Sequence, residues 1–475
     1  MKTKIWLSLV TFASLSTSLA FAEALSPNDF INQVIDKNEG IKSAQLSEKG
    51  ALERSSEGGL IFSTNFFTNA SYVDDKRPTA SVASQGNENK AKILELGLSQ
   101  ATRIGLSGKL SYTLSDIEIL GTNPAYLARP SYTDSAVKLE LNQSLWQNSF
   151  GHQWKLAEKA STSSAKASSL GKRYETQMLI FDAETKYWKL AAIRENINIL
   201  KENLARTQKV LDFNKIKVQR NLTDTTDLLQ SEALMKSRTL DLQNAFDEEK
   251  DAMRLFNATR NIESDLVAED LQYPSISDII KRLETLSISQ GTRNDVKAAE
   301  EAMNATRAGQ GINKDKTRPD LNLFAVGSFN SRENTNTDAM SKSFDSQHPY
   351  YAVGVRFTLP LDFSTRGSIQ DGYDKEMLGA ELNFKKKKFD QDTEWKSLQK
   401  KLELIRQRLN LAKEVKEAQW VKLDNERKRQ LNGRSTTFQV FSFEQEYLAA
   451  QLNLVQIETT ALILLAQEKT FHDFN

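Results

Sequence analysis

The chain of 475 residues has no cysteine. That excludes disulfides, thiolate metal sites and lipid attachment at an N-terminal cysteine. Its three histidines, His152, His348 and His472, are far apart and belong to no partner motif. Zincin, nucleophile-elbow and calcium-loop patterns are missing. Gly105-Leu106-Ser107-Gly108-Lys109-Leu110 lacks the spacing and the following Ser/Thr of a phosphate loop. The expectation is therefore no enzyme and no cofactor. An excess of one charge is also absent, with 63 Lys and Arg against 62 Asp and Glu. Binding of nucleic acid through bulk charge is not expected. After the N-terminal segment, no stretch approaches the roughly 20 consecutive apolar residues of a membrane helix. If such a chain enters a membrane, the architecture left to it is a closed β-barrel.

What is present starts with a leader. Lys2 and Lys4 supply charge, Ile5 to Leu19 an apolar stretch, and Ala20-Phe21-Ala22 a small-residue cleavage site. Residues 1–22 are expected to be a secretory signal, leaving 453 residues exported.

Residues 25–59 read as a helix, with Ser26 as cap, Pro27 at the first helical position and Gly58-Gly59 at the end. The period then changes to two. Candidate strands fall at 60–74, 92–101, 106–116 and 134–146. Leu94, Leu96 and Leu98 alternate with Glu95, Gly97 and Ser99. Leu106, Leu110, Tyr112 and Leu114 alternate with Ser107, Lys109, Ser111 and Thr113. One face is apolar and the other wet. A soluble sandwich and a membrane barrel both satisfy that pattern. The connections favour the barrel, because 102–105 is short while 75–91 and 117–133 are long and polar.

Long helical stretches follow at 147–219 and 223–258, then an irregular segment at 261–290. The second half repeats the plan, with a helix at 291–316, strands at 319–332 and 350–361, and helices at 366–430 and 436–470. The longest of these would run roughly 110 Å, too long for a compact domain, so each must pack along neighbours. The shorter helices of each half, laid end to end, match it in length. Leu398, Leu402, Ile405, Leu409, Ala412 and Val415 trace a coiled-coil-like seam.

The turn between the two long helices is itself duplicated. Asn221-Leu222-Thr223-Asp224-Thr225-Thr226 recurs as Asn432-Gly433-Arg434-Ser435-Thr436-Thr437, offset by 211 residues. This points to an internal two-fold repeat of strand pair and long helical hairpin.

Four local motifs carry a resemblance. Val137–Trp146 is similar to a strand ending in a Q-P-L segment before a long helix, and Val355–Leu361 to its second copy, here with the proline. Arg318-Pro319-Asp320-Leu321 is similar to a P-x-L strand entry, and Gly433-Arg434-Ser435-Thr436 followed by Val440 to a hairpin tip. In this order they resemble the TolC-like outer-membrane efflux proteins, over the whole exported chain. The resemblance implies a mixed α and β fold. A homotrimer would form one β-barrel in the outer membrane, continuous with a long periplasmic α-helical barrel. It further implies a passive conduit, docked at its tips to a periplasmic adaptor and through it to an inner-membrane pump. The sequence departs from the family in carrying four candidate strands in its first half. The hairpin 92–116 either joins the barrel wall, giving three copies of six strands, 18 in all, or projects as a plug. Its short turn and length favour the wall.

Candidate functional residues follow from that layout. Asp224 and Asp227 are candidate gate residues or helix N-caps. The resemblance also implies acidic residues in the second tip, as many members of the family carry. The positions that match them here are Gln439 and Ser442, both neutral, which argues against strong cation selectivity. Asn221, Leu222, Thr223, Gly433, Arg434 and Ser435 are candidates for adaptor docking, and Gly433 suits a positive φ or a close approach. Arg434 can equally be a solvated loop charge. Glu95, Lys109, Lys138, Glu140 and Arg356 are candidates for the barrel lumen, which leaves the apolar face for outer-membrane lipid. Trp146, Trp154, Phe66, Phe67, Tyr350 and Tyr351 flank the strands as interfacial aromatics or as packed residues. Lys385 to Lys388 read as a solvated helix face more than as a docking patch. A periplasmic adaptor and an exported coiled-coil protein are the alternatives. The first has one hairpin rather than two, and the second leaves the strands unexplained.

Overall fold

The computed structural model describes residues 24–220, 224–286, 291–345 and 347–472. The expected leader lies outside the described residues. The chain divides into two units, one drawn from Met1–Ser43, Thr176–Gly291 and Glu394–Asn475, the other from Ala44–Glu175 and Thr292–Thr393.

The second unit holds a sheet of six strands: β1 (Asn65–Asp75), β2 (Glu88–Ala101), β3 (Leu106–Leu120), β4 (Ser131–Ser144), β5 (Asp320–Glu333) and β6 (Pro349–Thr358). They lie side by side in chain order and every neighbouring pair is antiparallel. The hairpin β2–β3 is hydrogen-bonded between β1 and β4, so it is part of the sheet and does not project from it.

Register sorts the side chains. Leu96, Tyr112, Val137 and Phe329 form one cross-strand row, and Glu95, Thr113, Ala136 and Asn330 form the next. Because the period is two, alternate rows share a face. One face carries Leu94, Leu98, Leu110, Leu139, Val353 and Val355, all exposed. The other carries Ser111, Ser328 and Gly97, all buried.

Several boundaries differ from the sequence reading. The first strand starts at Asn65, not 60, because Arg54–Phe62 winds as a 3-10 helix. A Cβ on Gly58 would stand 2.9 Å from the Glu158 Cα, so this segment is pressed backbone to backbone. Leu60 and Phe62 therefore belong to it and not to a strand face. Strands β2 and β3 outrun the expected spans, since the ladder continues past Lys92 to Glu88 and past Asp116 to Leu120, whereas β4 is shifted, starting three residues earlier than expected and ending two earlier.

The first helix is two, α1 (Pro27–Lys37) and α2 (Glu39–Glu53). Asn38 makes the break. Its N–H closes α1 on the Val34 carbonyl at 2.8 Å, while its side-chain oxygen accepts from the Ile41 N–H at 3.0 Å and caps α2. After a short α3 (Val82–Gln85) and the first four strands, α4 (His152–Gln219) runs for 68 residues. It starts five residues later than expected because Asn148 and Phe150 are left-handed, at φ 53° and 47°. The Asn148 carboxamide then accepts from the Gln153 and Trp154 N–H groups, and its own N–H donates to Asp315 at 2.6 Å.

The remaining helices are α5 (Thr225–Thr259), α6 (Ile276–Thr285), α7 (Asn294–Lys316), α8 (Asn336–Lys342), α9 (Phe363–Leu431) and α10 (Thr437–Glu468). In the helical unit, Phe30, Tyr187, Phe256, Ile279, Leu398, Leu409 and Leu462 form the core, with Phe30 stacked on Phe256 at 4.2 Å. The irregular segment after α5 is held by polar side chains. Arg194 donates to the Val267 and Glu269 carbonyls at 2.6 Å each, and the Tyr187 hydroxyl accepts from the Gln272 N–H at 3.0 Å while donating to the Leu25 carbonyl at 2.5 Å. Burial pushes the Tyr187 hydroxyl up to about 12.

The structure differs from the sequence expectation at α9 and at α10 as well. The α9 seam is buried from Leu398 to Ala412, but Val415 is exposed and Leu423 takes up the burial. Alternating steps of four and three from Leu398 arrive at 423 and miss 415. In addition, Thr437–Phe471 is long and apolar enough by composition to match a membrane helix. Its apolar positions, Val440, Leu448, Leu454 and Leu462 among them, are buried in the helical core instead.

Candidate functional site

The two hairpin turns are capped by different logic. Asp224 is the N-cap of α5, in extended conformation, and its carboxylate accepts from the Thr226 N–H at 3.5 Å. In the second turn the cap is Thr436, whose hydroxyl accepts from the Gln439 N–H at 3.2 Å. Aligned by sequence, Thr436 matches Thr225, so the caps sit one residue apart in the two copies. The α9 end is closed by Gly433 at φ 71°. Its N–H donates to the Gln430 carbonyl at 3.0 Å, and the Arg434 N–H reaches back to the Arg429 carbonyl at 2.8 Å. This is a Schellman closure. A Cβ on Gly433 would meet nothing within 4 Å, so positive φ and not close approach requires glycine there.

The other tip residues divide. Asn221, Leu222 and Thr223 lie outside the described residues. Arg434 is exposed and makes no ion pair among the described residues. Ser435 donates to the buried Glu426, which also accepts from Arg429. Asp227, Gln439 and Ser442 are half-buried.

Below the turns, a hydrogen-bond chain crosses both hairpins. Gln430 donates to Thr437, Thr437 to Asn214, Asn214 to Ser231, and Ser231 to the backbone carbonyl of Asp227. A second cluster surrounds Glu444, which is 2 % exposed. It pairs with Arg427, lies 3.5 Å from Arg206 Nε and accepts from Asn203 at 3.4 Å. Burial and the neighbouring Arg206 hold the Arg427 guanidinium below its ordinary value. The sequence reading missed both clusters. A signal for the second was available, since Glu444 falls four residues from Val440 and from Leu448 on the buried stripe of α10.

On the sheet, all five candidate lumen residues share the charged face. Lys109 and Glu140 are direct cross-strand partners, and Lys109 Nζ lies 2.8 Å from Glu95. Lys138 pairs with Glu140 at 2.6 Å. Arg356 stands across from Asn322 and over the Phe324 ring at 5.6 Å, with no ion pair among the described residues. The flanking aromatics divide between faces. Phe66 and Tyr351 are on the apolar face, while Phe67 and Tyr350 are on the charged one, where Phe67 lies under Lys109 at 4.6 Å. Of the lysine run, Lys385 pairs with Glu381 and Lys387 lies 3.7 Å from Asp295. Among the described residues no group of His, Asp and Glu could hold a metal ion.

No protein-family model matches this sequence, and no curated protein matches it. Solved structures do. The outer membrane protein VceC of Vibrio cholerae superposes with a TM-score of 0.64 at 16 % identity, covering 94 % of this chain and 95 % of that one. The outer-membrane channel OprN gives 0.66 at 14 %, over 94 % and 89 %. The CmeC outer membrane channel of Campylobacter jejuni gives 0.62 at 15 %, over 99 % and 94 %.

The fold is that of an outer-membrane channel. In this channel fold the long helical hairpins and the six-stranded sheet account for nearly the whole chain. Identity this low carries the architecture and leaves the side chains of the turns and of the sheet to be read on their own.

Proposed function

We propose that this protein is an outer-membrane channel of a tripartite efflux or secretion system. It acts as a homotrimer and conducts passively from periplasm to exterior, without enzymatic chemistry. One observation carries the reading. One face of the sheet exposes apolar rows on β2, β3, β4 and β6, and its two edge strands have only one partner each. Open edges are untenable in lipid, so the sheet must close. With six strands alternating in direction, β6 of one copy meets β1 of the next in antiparallel sense. Three copies of six give a ring of 18. Along β3 the apolar row from Leu106 to Leu114 spans about 27 Å, which tilted in a barrel fits the roughly 25 Å apolar band of outer-membrane barrels.

On this reading the two halves are an internal repeat, the leader exports the chain, and the helical hairpins line a periplasmic tunnel. Asp224, Asp227, Gln439 and Ser442 ring the gate. Asn221, Leu222, Thr223, Gly433, Arg434 and Ser435 face the adaptor, and through it the inner-membrane pump. Glu95, Lys109, Lys138, Glu140 and Arg356 line the lumen. The test is purification from membranes, native mass determination and planar-bilayer recording. Trimers with discrete conductance are expected. A monomer that stays soluble without detergent and passes no current overturns the proposal.

A further inference from the structure

Part of the apolar face is covered by the chain itself. The β5–β6 connection lays α8 across β3 and β4. Thr133 donates to Asn336 at 2.6 Å, Ser135 donates to the Ala339 carbonyl at 2.6 Å, and the Tyr112 hydroxyl is 3.2 Å from that of Ser343. Ala339 and Ser343 are fully buried by this contact. Met340 and Phe344 are not, and Phe344 is 74 % exposed. Together with Phe66, Leu96, Leu98 and Leu110 they border an apolar groove of about 560 Å³.

The same face changes character one step along the strands. Above Leu94 and Leu114 the next cross-strand pairs are Lys92 with Asp116 and Lys90 with Glu118. A second cavity of about 490 Å³ lies there, bordered by Tyr72, Lys92, Asp116 and Asn336. Lys90 pairs with Glu88, whereas Lys92 makes no ion pair among the described residues. Apolar groove and charged rim are thus stacked along β2 and β3, at the end of the sheet with the long connections.

We propose that α8 is an interfacial helix seated at the headgroup boundary of the outer leaflet, and that the groove beneath it holds one anionic lipid. The acyl chain runs along Leu96, Leu98 and Leu110, and the phosphate lies toward Lys92. This rests on the membrane reading above. Charge and shape select the occupant: the groove is lined mainly by apolar side chains, Lys92 borders the adjoining cavity with no ion pair among the described residues, and the exposed apolar rows of β4 and β6 belong to the same face. Polar residues of the helix, Asp338 and Lys342, stay on the wet side, with Lys342 paired to Glu333 at 2.8 Å.

The absence of cysteine makes the test clean. Single variants Met340→Cys, Phe344→Cys and Val353→Cys are spin-labelled in the full chain. They are reconstituted in vesicles of phosphatidylcholine and phosphatidylglycerol, and accessibility to oxygen and to a water-soluble nickel chelate is measured. Val353 stands on the bare apolar row and reports the membrane reading alone. The expected result is lipid exposure at all three positions. Water exposure at Met340 and Phe344 with lipid exposure at Val353 overturns the interfacial helix and spares the channel. Water exposure at Val353 overturns the membrane reading and the lipid site with it. Retention of phosphatidylglycerol by the purified protein is expected to fall about fivefold in Lys92→Gln, as for one basic residue at an anionic surface. Unchanged retention removes the lipid from the groove.

Discussion

The Thr437 hydroxyl of α10 donates to the Asn214 carboxamide oxygen of α4 at 3.3 Å, with both residues buried, and so joins the two helical hairpins just below their turns. Asn214 passes the link to Ser231 at 2.7 Å, and Ser231 to the carbonyl of Asp227 at 2.7 Å. Thr437→Val keeps the shape and deletes the hydroxyl. It leaves Asn214 Oδ1 and Gln430 Nε2 without their partner, at a cost of about 1–3 kcal/mol. Thermal unfolding in detergent should show the loss, and amide exchange should rise in the first turns of α5 and α10. Wild-type exchange in both turns would mean that the chain of hydrogen bonds does not couple the hairpins.

Glu444 is the single carboxylate that Arg427 and Arg206 share inside the helical unit. Glu444→Ala removes it and leaves two cations facing each other in a sheltered site. Breaking a buried pair on one side costs about 3–5 kcal/mol. The double variant Glu444→Leu with Arg427→Met should recover most of that loss, because it removes the Arg427 charge as well and leaves Arg206 with Glu202, 3.4 Å away. A double variant no more stable than Glu444→Ala would assign the loss to packing and not to charge.

Much of the architecture is legible in the sequence, for physical reasons that differ by element. The sheet is readable because Leu94 to Leu98 and Leu106 to Leu114 alternate strictly, and the four residues 102–105 force adjacent antiparallel strands. The strand ends are less so. At Lys90, Lys92, Asp116 and Glu118 charge enters the apolar face while the backbone ladder continues. Breaks made by one polar side chain are hidden. Asn38 and Asn148 each redirect the chain through bonds to partners brought by folding, Thr259 and Asp315. Helix α8 is hidden for the same reason, since seven residues have no periodicity to read and are fixed by Thr133 and Ser135. The tip motif is legible as a duplication. Its caps are not, because Asp224 and Thr436 occupy positions one residue apart.

A buried carboxylate also gives the helical unit a pH response. Glu458 is 7 % exposed and accepts from the Tyr273 hydroxyl at 3.2 Å. Burial is the largest cause that pushes its carboxyl up to about 7. The Tyr273 hydrogen bond and then Lys416 oppose the shift, and Glu195 adds to it. The folded value therefore exceeds the unfolded one. The folded state binds the extra proton between about pH 4.5 and 7, and stability falls as pH rises through that window. The contribution is about 1–3 kcal/mol, the lower end allowing for residual solvent screening. Glu458→Gln should flatten the melting temperature between pH 5 and 8 and raise it at the upper end. A variant with the wild-type slope would place the titration elsewhere.

The short β2–β3 turn packs against the entrance to α4 at Gly105 and Gly151, at φ 79° and 75°. A Cβ on Gly105 would lie 2.5 Å from the Gly151 nitrogen. Gly105→Ala therefore meets left-handed strain of about 1–2 kcal/mol and a backbone clash that must be relieved by movement. At Gly433 the same substitution meets the strain alone, since the space is open. The expected order of destabilisation in detergent melts is Gly105→Ala well beyond Gly433→Ala. Equal losses would show that the 102–105 turn can shift away from Gly151 freely.

On the channel reading, lumen charge is decided by which groups are left unpaired. Glu95 with Lys109 and Lys138 with Glu140 cancel pairwise, and Arg332 is held by Asp134 at 2.7 Å. Arg356 stands on the same face beside Phe324 with no ion pair among the described residues; Asp320, its diagonal neighbour on β5, accepts from Asn322 instead. Three copies then place a ring of guanidinium groups in the pore, and a ring of one sign selects for the opposite ion. The wild-type channel is expected to favour anions slightly in a salt gradient. Arg356→Gln should move the reversal potential toward cations, while the pair variant Glu95→Gln with Lys109→Gln should leave it near the wild-type value. If the pair variant moves the potential and Arg356→Gln does not, the paired charges set selectivity and Arg356 lies outside the conducting path.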